Sequence, residues 1–386
     1  MYKIAALNKI SPAGLLKFNG SYAFTDNVES AEGILVRSQN MLSMELPDSL
    51  LAIARAGAGT NNIPSVECAE RGIVVFNTPG ANANAVKELV IASMFMAARN
   101  LPEALDWTKT LTTDVASEVE KCKGQFAGSE IKGKTLGIIG LGAVGVLVAN
   151  TAEKLGMKVI GNDPFITVSA AHELSNKIPV TDNLVDLFRE CDYISIHVPA
   201  LESTKGMIGR KQFEQMKNGV CFLNFSRDAL VDSESLFAAI DSGVVGKYIT
   251  DFPNDALIGK KGIICIPHLG ASTEEAEDAC AAMAADQLID YLDNGNIANS
   301  VNYPSCNMGP FVNTSAECRV CVFNRNIPAM LSKITSALSS VNISDMLNKS
   351  MRDYAYTMID IDSEIDSEKL LECLRIDGII RVRILR

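Results

Sequence analysis

Several apolar runs in the second half of the chain have the pattern of β-strands, and they are followed by side chains that can bind an anion or transfer a proton. His268 follows a β-branched run that ends at Pro267, and Arg227 follows the run from Val220 to Asn224. Because parallel strands deliver the residues after them to one edge of a sheet, we expect these side chains in one crevice. An arginine can hold a carboxylate through two parallel hydrogen bonds, while an imidazole can carry a proton near neutral pH. The combination predicts hydride transfer on a small anionic 2-hydroxy acid.

The proton carrier has few candidates, because the chain contains three histidines, His172, His197 and His268. His268 is predicted to be the acid/base, with Asp251 or Asp255 as the carboxylate that holds its ring and favours its charged form. The alternative interpretation leaves His268 at a strand end, bonded only to backbone groups. His197 precedes Val-Pro and is expected to line the cofactor, although it could also merely satisfy backbone groups.

A glycine-rich loop, TLGIIGLGAVG, predicts a dinucleotide site because it follows an apolar strand and opens a helix. Gly140 permits a tight turn, Gly142 lets a pyrophosphate approach the backbone, and Gly145 lets the helix pack against the strand. Asp163 ends the next predicted strand and is expected to accept the ribose hydroxyls; the alternative is a solvated acid. The three residues after it carry no basic side chain for a further phosphate, so NAD is favoured over NADP.

Apolar runs and helical patterns alternate along most of the chain, as in α/β proteins. The predicted strands cover residues 3–7, 33–37, 52–56, 73–77, 135–139, 158–162, 193–197, 220–224, 248–251 and 263–266. The predicted helices cover residues 81–100, 144–155, 183–190, 233–241 and 272–294. The strand series restarts after the first long helix, which predicts two sheets, and the pattern after residue 315 predicts a small α+β module.

Composition limits the classes of partner. With a formal net charge of −11, the chain lacks the general basic surface that nucleic acids and acidic membranes require, so neither is an expected partner. The amino terminus is predicted to be a strand and not a signal peptide, and glycines interrupt the longest uncharged run, so no membrane span is expected. Ten cysteines lie in apolar segments, which favours a cytoplasmic location and no metal site. Cys318 and Cys321 are expected on opposite faces of a strand.

Several motifs resemble those of the D-2-hydroxyacid dehydrogenase family: LGIIGLGAVG, ISIHVPAL, NFSRDALVD, TDFPND and IPHLGASTEEAE. The last three are most similar to the branch that oxidises 3-phosphoglycerate, and the resemblance spans almost the whole chain. It implies a doubly wound parallel-sheet NAD-binding domain, residues 98–272, inserted in a flavodoxin-like substrate domain, residues 1–97 and 273–303. A C-terminal α+β domain at residues 315–386 resembles ACT regulatory domains.

The resemblance also implies roles for individual residues. Arg227 and His268 fall on the catalytic arginine and histidine of the family. Asp255 falls where most relatives carry a longer glutamate, and Asp251 is the fallback for this acid. The implied cofactor contacts are Gly140, Gly142, Ala143, Val144, Gly145, Asp163, His197, Pro199, Thr204 and Asp251.

The first domain contains two arginines in positions suited to an anion. Arg37 ends one predicted strand, and Arg55 precedes a glycine-rich turn whose NH groups can hold a carboxylate. The resemblance implies that these positions line the substrate pocket and favour a phosphorylated substrate. It places at the floor of that pocket Ala58, Gly59, Thr60 and Asn62. The alternative is that both arginines only pair with nearby acids.

ACT domains often bind amino acids where two copies meet, and the resemblance implies an L-serine effector with Asn326 and Asn342 among its contacts. Ala329 stands where relatives usually carry a glycine, so a module that only holds subunits together is the alternative. The predicted helix over residues 82–100 is apolar on more than one face. Together with the resemblance, this pattern predicts a homodimer or homotetramer.

These inferences predict an NAD-dependent enzyme that oxidises 3-phospho-D-glycerate to 3-phosphohydroxypyruvate, the entry to L-serine synthesis, with His268 as acid/base. Within enzymes, the alternative is a reductase of an unphosphorylated 2-oxo acid such as hydroxypyruvate, glyoxylate or 2-oxoglutarate. Outside enzymes, the alternative is a dinucleotide-sensing scaffold, because some family members act as corepressors. The retained Arg227 and His268 disfavour the scaffold.

Overall fold

The computed structural model describes residues 1–386, apart from the side chain of Asn313. The chain forms two compact units: unit 1 contains residues 1–81 and 277–386, and unit 2 contains residues 82–276. The sequence placed the corresponding boundaries near residues 97 and 272. The helix Ala83–Ala98 belongs with unit 2 because Val86 and Met94 share a core with Val146 and Ala149. The division into three domains stays a prediction.

Unit 1 contains a parallel sheet of short strands, and the last three of them along the chain are almost completely buried. Its strands are β1 (Tyr2–Leu7), β2 (Tyr22–Phe24), β3 (Gly33–Val36), β4 (Ala52–Arg55) and β5 (Val74–Phe76). The order β2-β1-β3-β4-β5 confirms the flavodoxin-like arrangement. The helices α1 (Pro12–Leu15) and α2 (Ser65–Glu70) lie between these strands in the chain. Strand β2 escaped prediction because three residues carry too little periodicity to recognise.

Unit 2 contains a six-stranded parallel sheet in the order β11-β10-β9-β8-β6-β7. Its strands are β6 (Thr135–Ile139), β7 (Lys158–Asn162), β8 (Tyr193–Ile196), β9 (Val220–Asn224), β10 (Val245–Thr250) and β11 (Ile263–Cys265). A single bridge from Gly161 to Val180 adds one further parallel pairing beside β7. The chain winds outward in both directions from β6, which confirms the doubly wound fold and creates a switch point between β6 and β8.

Three helices precede these strands, and others connect them, since parallel neighbours need a crossover connection. They are α3 (Ala83–Ala98), α4 (Leu101–Thr108), α5 (Val115–Cys122), α6 (Ala143–Lys154), α7 (Val168–Glu173), α8 (Leu184–Glu190), α9 (Arg210–Phe213) and α10 (Ser233–Asp241). A longer helix, α11 (Glu274–Asn294), follows the last strand, and Thr273 caps it by accepting a hydrogen bond from the Ala276 NH at 3.1 Å.

The C-terminal part of unit 1 is an antiparallel α+β module, as the sequence predicted. Its elements are β12 (Cys318–Arg325), α12 (Met330–Ala337), β13 (Ile343–Met351), β14 (Tyr354–Ile361), α13 (Ser367–Cys373) and β15 (Ile379–Leu385), with the sheet order β13-β14-β12-β15. Cys318 packs among the residues of the module's own core, while Cys321 packs among residues of the parallel-sheet part. The two thiols therefore face opposite sides of β12, as expected.

The C-terminal module shares a core with the rest of unit 1. Phe323 and Tyr356 pack with Phe76 and Tyr303, and the Tyr356 hydroxyl donates to the Gly295 carbonyl at 2.6 Å. Arg383 donates to the carbonyl of Tyr291 at the end of α11. These buried contacts fix the module against the helix that links it to the parallel sheet.

None of the helices that the structure describes is both long enough and apolar enough to cross a bilayer.

Candidate active site at the strand ends of unit 2

The residues that could bind an anion or transfer a proton lie at the carboxyl ends of four adjacent strands. His197 follows β8, Arg227 lies three residues beyond β9, Asp251 follows β10, and His268 lies three residues beyond β11. Because β8, β9, β10 and β11 are neighbours and run parallel, these residues reach one edge of the sheet. The sequence predicted this convergence from the positions of the apolar runs.

An aromatic ring lies beside both the arginine and the histidine. The Phe252 ring centroid is 4.7 Å from that of His268, and the Arg227 Cζ is 5.8 Å from the Phe252 centroid. Arg227 also donates from Nη1 to the Ser226 carbonyl at 2.5 Å. His268 is exposed, so its ring nitrogens can meet a ligand. Phe252 therefore sets the spacing between a cation and a proton carrier.

Asp251 is the carboxylate that interacts with this pair. Its side chain is buried, Oδ2 accepts a hydrogen bond from the Gly270 NH at 3.2 Å, and Oδ1 has no hydrogen-bond partner among the described residues. Burial raises the pKa of Asp251, while the nearby charges of His268 and Arg227 act in the opposite direction. A buried oxygen without a partner, close to an imidazole, is suited to accept a proton or a hydrogen bond.

Asp255, the first choice from the sequence, does not join this group. Its side chain is exposed, and none of the contacts among the described residues connects it to His268. Asp255 lies four residues beyond Asp251, in the segment that precedes β11. Among the described residues, Asp251, the fallback acid, interacts with His268 and Asp255 does not, and which of the two is the catalytic acid stays a prediction.

The glycine loop has the geometry that a dinucleotide needs. Gly140 has a φ of +93°, and a Cβ there would lie 2.7 Å from the His197 carbonyl oxygen. A Cβ at Gly145 would overlap the carbonyl oxygen of Gly140. Gly142, in contrast, has ordinary φ and no described atom within 4 Å of a built Cβ. The fold therefore does not require a glycine at position 142, whereas close approach by a pyrophosphate does.

The residues after Gly142 complete this loop. Ala143 and Val144 begin α6, whose free NH groups suit a phosphate. Asp163 ends the neighbouring strand, and its two oxygens accept hydrogen bonds from the NH groups of Leu141 and Phe165, each at 2.8 Å. The carboxylate is thus fixed beside the glycine loop and keeps lone pairs for ribose hydroxyls. These residues fit the dinucleotide that the sequence predicted.

His197 and the loop after it form the other side of this edge. His197 Nε2 lies 2.9 Å from the Ser195 hydroxyl, and burial lowers the pKa of His197 to about 4. The ring is therefore neutral at physiological pH and adds no positive charge to this edge of the sheet. Thr204 donates to the Pro199 carbonyl at 2.7 Å and accepts from the Leu201 NH at 2.8 Å. Its hydroxyl shapes the loop around Pro199.

In unit 1, the two predicted anion-binding arginines already have partners. Arg37 Nη2 forms an ion pair with Glu277 Oε1 at 2.7 Å, and Arg55 Nε donates to the Arg37 carbonyl at 3.1 Å. Asn62 Nδ2 donates to the Gln39 carbonyl at 2.7 Å, which leaves its buried Oδ1 without a partner among the described residues. The alternative weighed for Arg37, pairing with a nearby acid, is therefore realised through Glu277.

The loop between Arg55 and α2 is fixed by hydrogen bonds to its backbone carbonyls. Ala58 accepts a hydrogen bond from Asn77 Nδ2 at 2.6 Å, and Gly57 accepts one from the Thr78 NH at 3.2 Å. Gly59 follows directly in the same loop. These hydrogen bonds hold the loop in place beside Arg55.

The predicted effector contacts in the C-terminal module are engaged in local hydrogen bonds. Asn326 Nδ2 donates to the Arg352 carbonyl at 2.9 Å, and Asn342 Nδ2 donates to Asp362 Oδ2 at 2.8 Å. Ala329 precedes α12 with a φ of +67°, a left-handed conformation that costs a residue with a Cβ about 1 kcal/mol. The backbone keeps the shape that a glycine would favour, although the chain carries alanine.

Comparisons with known proteins agree with this geometry. Residues 91–270 match the family described as D-isomer specific 2-hydroxyacid dehydrogenase, NAD binding domain. A putative D-3-phosphoglycerate dehydrogenase of Schizosaccharomyces pombe is 32% identical over 364 residues, which cover 87% of this chain and 74% of the relative. The D-3-phosphoglycerate dehydrogenase of Archaeoglobus fulgidus is 35% identical over 294 residues, covering 74% of this chain and 54% of the relative.

A solved structure shows a similar fold. The NAD+-bound 3-phosphoglycerate dehydrogenase of Entamoeba histolytica is 28% identical, with a TM-score of 0.62, and the match covers 78% of this chain and 98% of that chain. The chain spans about half the length of the first archaeal relatives that it matches. Taken together, fold, site and similarity show that this chain belongs to the D-2-hydroxyacid dehydrogenase family, and unit 2 is its NAD-binding domain.

Two residues of the site escaped prediction from the sequence. Phe252 lies within the TDFPND motif, but its place between Arg227 and His268 depends on how β10 and β11 pair. Glu277 lies in α11, far along the chain from Arg37. Its negative charge makes Glu277 a possible partner of Arg37, but α11 contains other acidic residues, and only the fold shows which of them forms the ion pair.

Proposed function

We propose that this protein oxidises 3-phospho-D-glycerate to 3-phosphohydroxypyruvate with NAD as the hydride acceptor. The observation that carries the proposal is the grouping of Arg227, Asp251 and His268 around Phe252, on the same sheet edge as the glycine loop. When bound, NAD supplies the nicotinamide carbon that receives the hydride. Similarity to D-3-phosphoglycerate dehydrogenases supports the choice of substrate.

Each catalytic group has a proposed task. Arg227 holds the substrate carboxylate and thereby orients the carbon that loses its hydride. His268 removes the hydroxyl proton as the hydride leaves, since an exposed imidazole can reach a bound hydroxyl. Asp251 stabilises the imidazolium that results, because its carboxylate interacts electrostatically with His268. In this proposal Asp251 takes the role first given to Asp255.

Unit 1 is proposed to bind the anionic end of the substrate. Arg37 and Arg55 supply the positive charge, and the loop at Ala58 and Gly59 supplies backbone NH groups. Asn62 Oδ1 is buried without a partner among the described residues, and as an acceptor it suits a substrate hydroxyl and not the anionic group itself. A phosphate would have to displace Glu277 from Arg37, at a cost of about 0–1 kcal/mol because the pair is half-exposed.

The ion pair with Glu277 also favours a second candidate function. If Arg37 stays with Glu277, its charge is neutralised and a phosphate gains less from it. The same catalytic group would then reduce an unphosphorylated 2-oxo acid such as hydroxypyruvate, glyoxylate or 2-oxoglutarate. The two candidates share Arg227 and His268 and differ in what binds near Arg37.

A spectrophotometric assay of NADH separates these candidates. Purified protein is tested with NAD+ and 3-phosphoglycerate, and with NADH and a panel of 2-oxo acids that includes 3-phosphohydroxypyruvate. The proposal predicts a kcat/KM for the phosphorylated pair at least about tenfold above that for any unphosphorylated acid. Equal or higher values for an unphosphorylated acid would replace the first candidate with the second.

We further propose that the protein works as a homodimer or homotetramer in the cytoplasm, with L-serine as an effector of the C-terminal module. Apolar side chains exposed on and near α4 and α5, among them Leu105 and Val115, support a partner surface there. All ten cysteines are free thiols, as a reducing compartment favours. Light scattering and an NADH assay with added serine test these two points.

A further inference from the structure

A cavity lies at the opposite edge of the unit 2 sheet from the catalytic group. Its volume is about 490 Å³, and it is lined at the amino-terminal ends of parallel strands by Tyr193 of β8, Val220 of β9 and Gly246 of β10. The far ends of these same strands lead to His197, Arg227 and Asp251. The cavity is therefore separate from the glycine loop and from His268. Its volume lies within the range of small-molecule sites, about 300–1,000 Å³.

Positive charge dominates the lining of this cavity. Three lysines, Lys134, Lys217 and Lys247, contribute to it, and Asp192 is the one acidic residue among its described lining residues. This local excess of positive charge contrasts with a formal net charge of −11 for the whole chain. Within a concave wall, such charges attract an anion more strongly than they would on an open surface.

The three lysines differ in whether an acidic side chain already forms an ion pair with them. Lys217 Nζ lies 3.2 Å from Asp192 Oδ1, and Lys247 Nζ lies 3.1 Å from Glu103 Oε1. Lys134 forms no ion pair with any side chain that the structure describes, and its side chain is exposed. The Lys134 ammonium is therefore outside every described ion pair, although its charge helps to lower the pKa of Asp192. Lys217, which is 42% exposed, can turn from Asp192 to a ligand.

The other lining groups suit a compact ligand with a short carbon skeleton. Small or apolar residues such as Ala97 and Cys221 form part of the wall, while the amide of Asn100 and the hydroxyl of Ser129 add polar contacts. Asn100 already accepts a hydrogen bond from Lys247 at 2.8 Å, which fixes that ammonium group in the wall. Several flexible ammonium donors around a polar wall match multiply charged oxygen ligands better than a single carboxylate.

We propose that this cavity is a second binding site, for a small polyanion of the pyrophosphate or phosphorylated-metabolite class. Lys134 and Lys217 bind the anionic groups, and Lys247 adds positive charge from the wall. The site is independent of the hydride chemistry proposed above, because it lies at the other edge of the sheet.

Calorimetric titration with inorganic pyrophosphate tests the proposal on full-length protein saturated with NAD+, so that the glycine loop is already filled. The expected result is saturable binding that weakens by about tenfold in Lys134→Met and in Lys217→Met. Lys177→Met is the matched control, since it removes another exposed lysine of unit 2 that pairs with an acid, Glu153, away from the cavity. This variant is expected to bind as the unmodified protein does.

A second control distinguishes the cavity from the catalytic edge. Arg227→Leu should leave pyrophosphate binding unchanged, because Arg227 does not line the cavity. Absence of saturable binding, equal binding in all variants, or loss of binding in Arg227→Leu alone would each overturn the proposal. Lys134→Met keeps the test valid if Lys217→Met unfolds, since Lys134 is exposed and outside every described ion pair.

Discussion

The candidate binding residues of unit 2 and those of unit 1 differ in how many of their polar and charged groups already have a partner within the fold. In unit 2, Gly142 faces open space and Asp251 keeps an oxygen without a described partner. In unit 1, Arg37 is paired with Glu277, and Arg55 is hydrogen-bonded to the Arg37 carbonyl. On the proposed function, the groups for hydride transfer in unit 2 are therefore available, whereas a phosphate in unit 1 would have to compete with Glu277 for Arg37.

Because of this difference, we expect unit 2 to determine how fast a substrate is oxidised and unit 1 to determine which substrate is preferred. Residues at the strand ends of unit 2 suit any 2-hydroxy acid, since they address a carboxylate and a hydroxyl. In the proposed function, discrimination by phosphate would depend on the half-exposed pair of Arg37 with Glu277, whose strength is about 0–1 kcal/mol. Substrate choice in this protein is therefore expected to respond to small changes in unit 1, while turnover responds to unit 2.

The largest effect is expected from Arg227→Leu. Removal of the guanidinium leaves the substrate carboxylate without its bidentate partner, so kcat/KM for 3-phosphoglycerate should fall about a hundredfold or more in steady-state assays. Arg210→Leu is the control, because Arg210 is an exposed arginine paired with Glu214 on α9. A fall of similar size in both variants would show that the loss is not specific to the site.

Gly142→Leu should affect cofactor binding without affecting folding. No described atom lies near the new Cβ, so the melting temperature should hold, while the side chain occupies the space that the pyrophosphate needs. We expect NAD+ affinity, measured by calorimetry, to fall by about tenfold to a hundredfold. Gly124→Leu, at another glycine with open surroundings, should leave affinity unchanged; equal affinity in both variants would refute the role of Gly142.

Glu277→Gln tests whether the ion pair with Arg37 in unit 1 weakens phosphate binding. The amide keeps the shape of the glutamate but frees the charge of Arg37, so KM for 3-phosphoglycerate should fall by up to about fivefold. KM for hydroxypyruvate should not change. Asp286→Asn, which breaks another ion pair of α11, with Lys17, is the control. An unchanged KM for the phosphorylated substrate would count against phosphate binding at Arg37.

The smallest effect concerns pH and Asp251. Because burial raises the pKa of Asp251, the folded state binds its proton more tightly than the unfolded chain does. The stability contributed by the protonated carboxyl is present at low pH and is lost as pH rises through the folded pKa. The melting temperature of Asp251→Asn minus that of the unmodified protein should therefore be more positive at pH 8 than at pH 4. The opposite trend would mean that His268 and Arg227 dominate over burial.

The sequence predicted most strands to within a few residues, because short apolar runs such as Val220–Asn224, which is buried throughout, leave a strong signal. It did not predict α4 and α5, which are short and carry a mixed pattern. The convergence of Arg227 and His268 followed from parallel topology, since strand ends share an edge. The contact of Asp251, and not of Asp255, with His268 did not follow, because burial and local charge depend on how the chain leaves β10.

Contacts between distant segments account for the remaining differences. The pair between Arg37 and Glu277 joins residues that no local pattern connects. The boundary of unit 2 depends on the packing of α3 against α6, and the position of the C-terminal module depends on Arg383 and Tyr356. A sequence indicates that such apolar faces and charges need partners, but the three-dimensional fold selects which partners they obtain.

The most direct test of the central claim is a paired measurement on His268→Gln. The account predicts that NAD+ binds this variant with unchanged affinity, while NADH formation from 3-phosphoglycerate falls by about 10²–10⁴-fold because the proton carrier is lost. A variant that retains turnover within a few-fold of the unmodified protein would contradict the assignment of His268, and with it the proposed chemistry at this edge of the sheet.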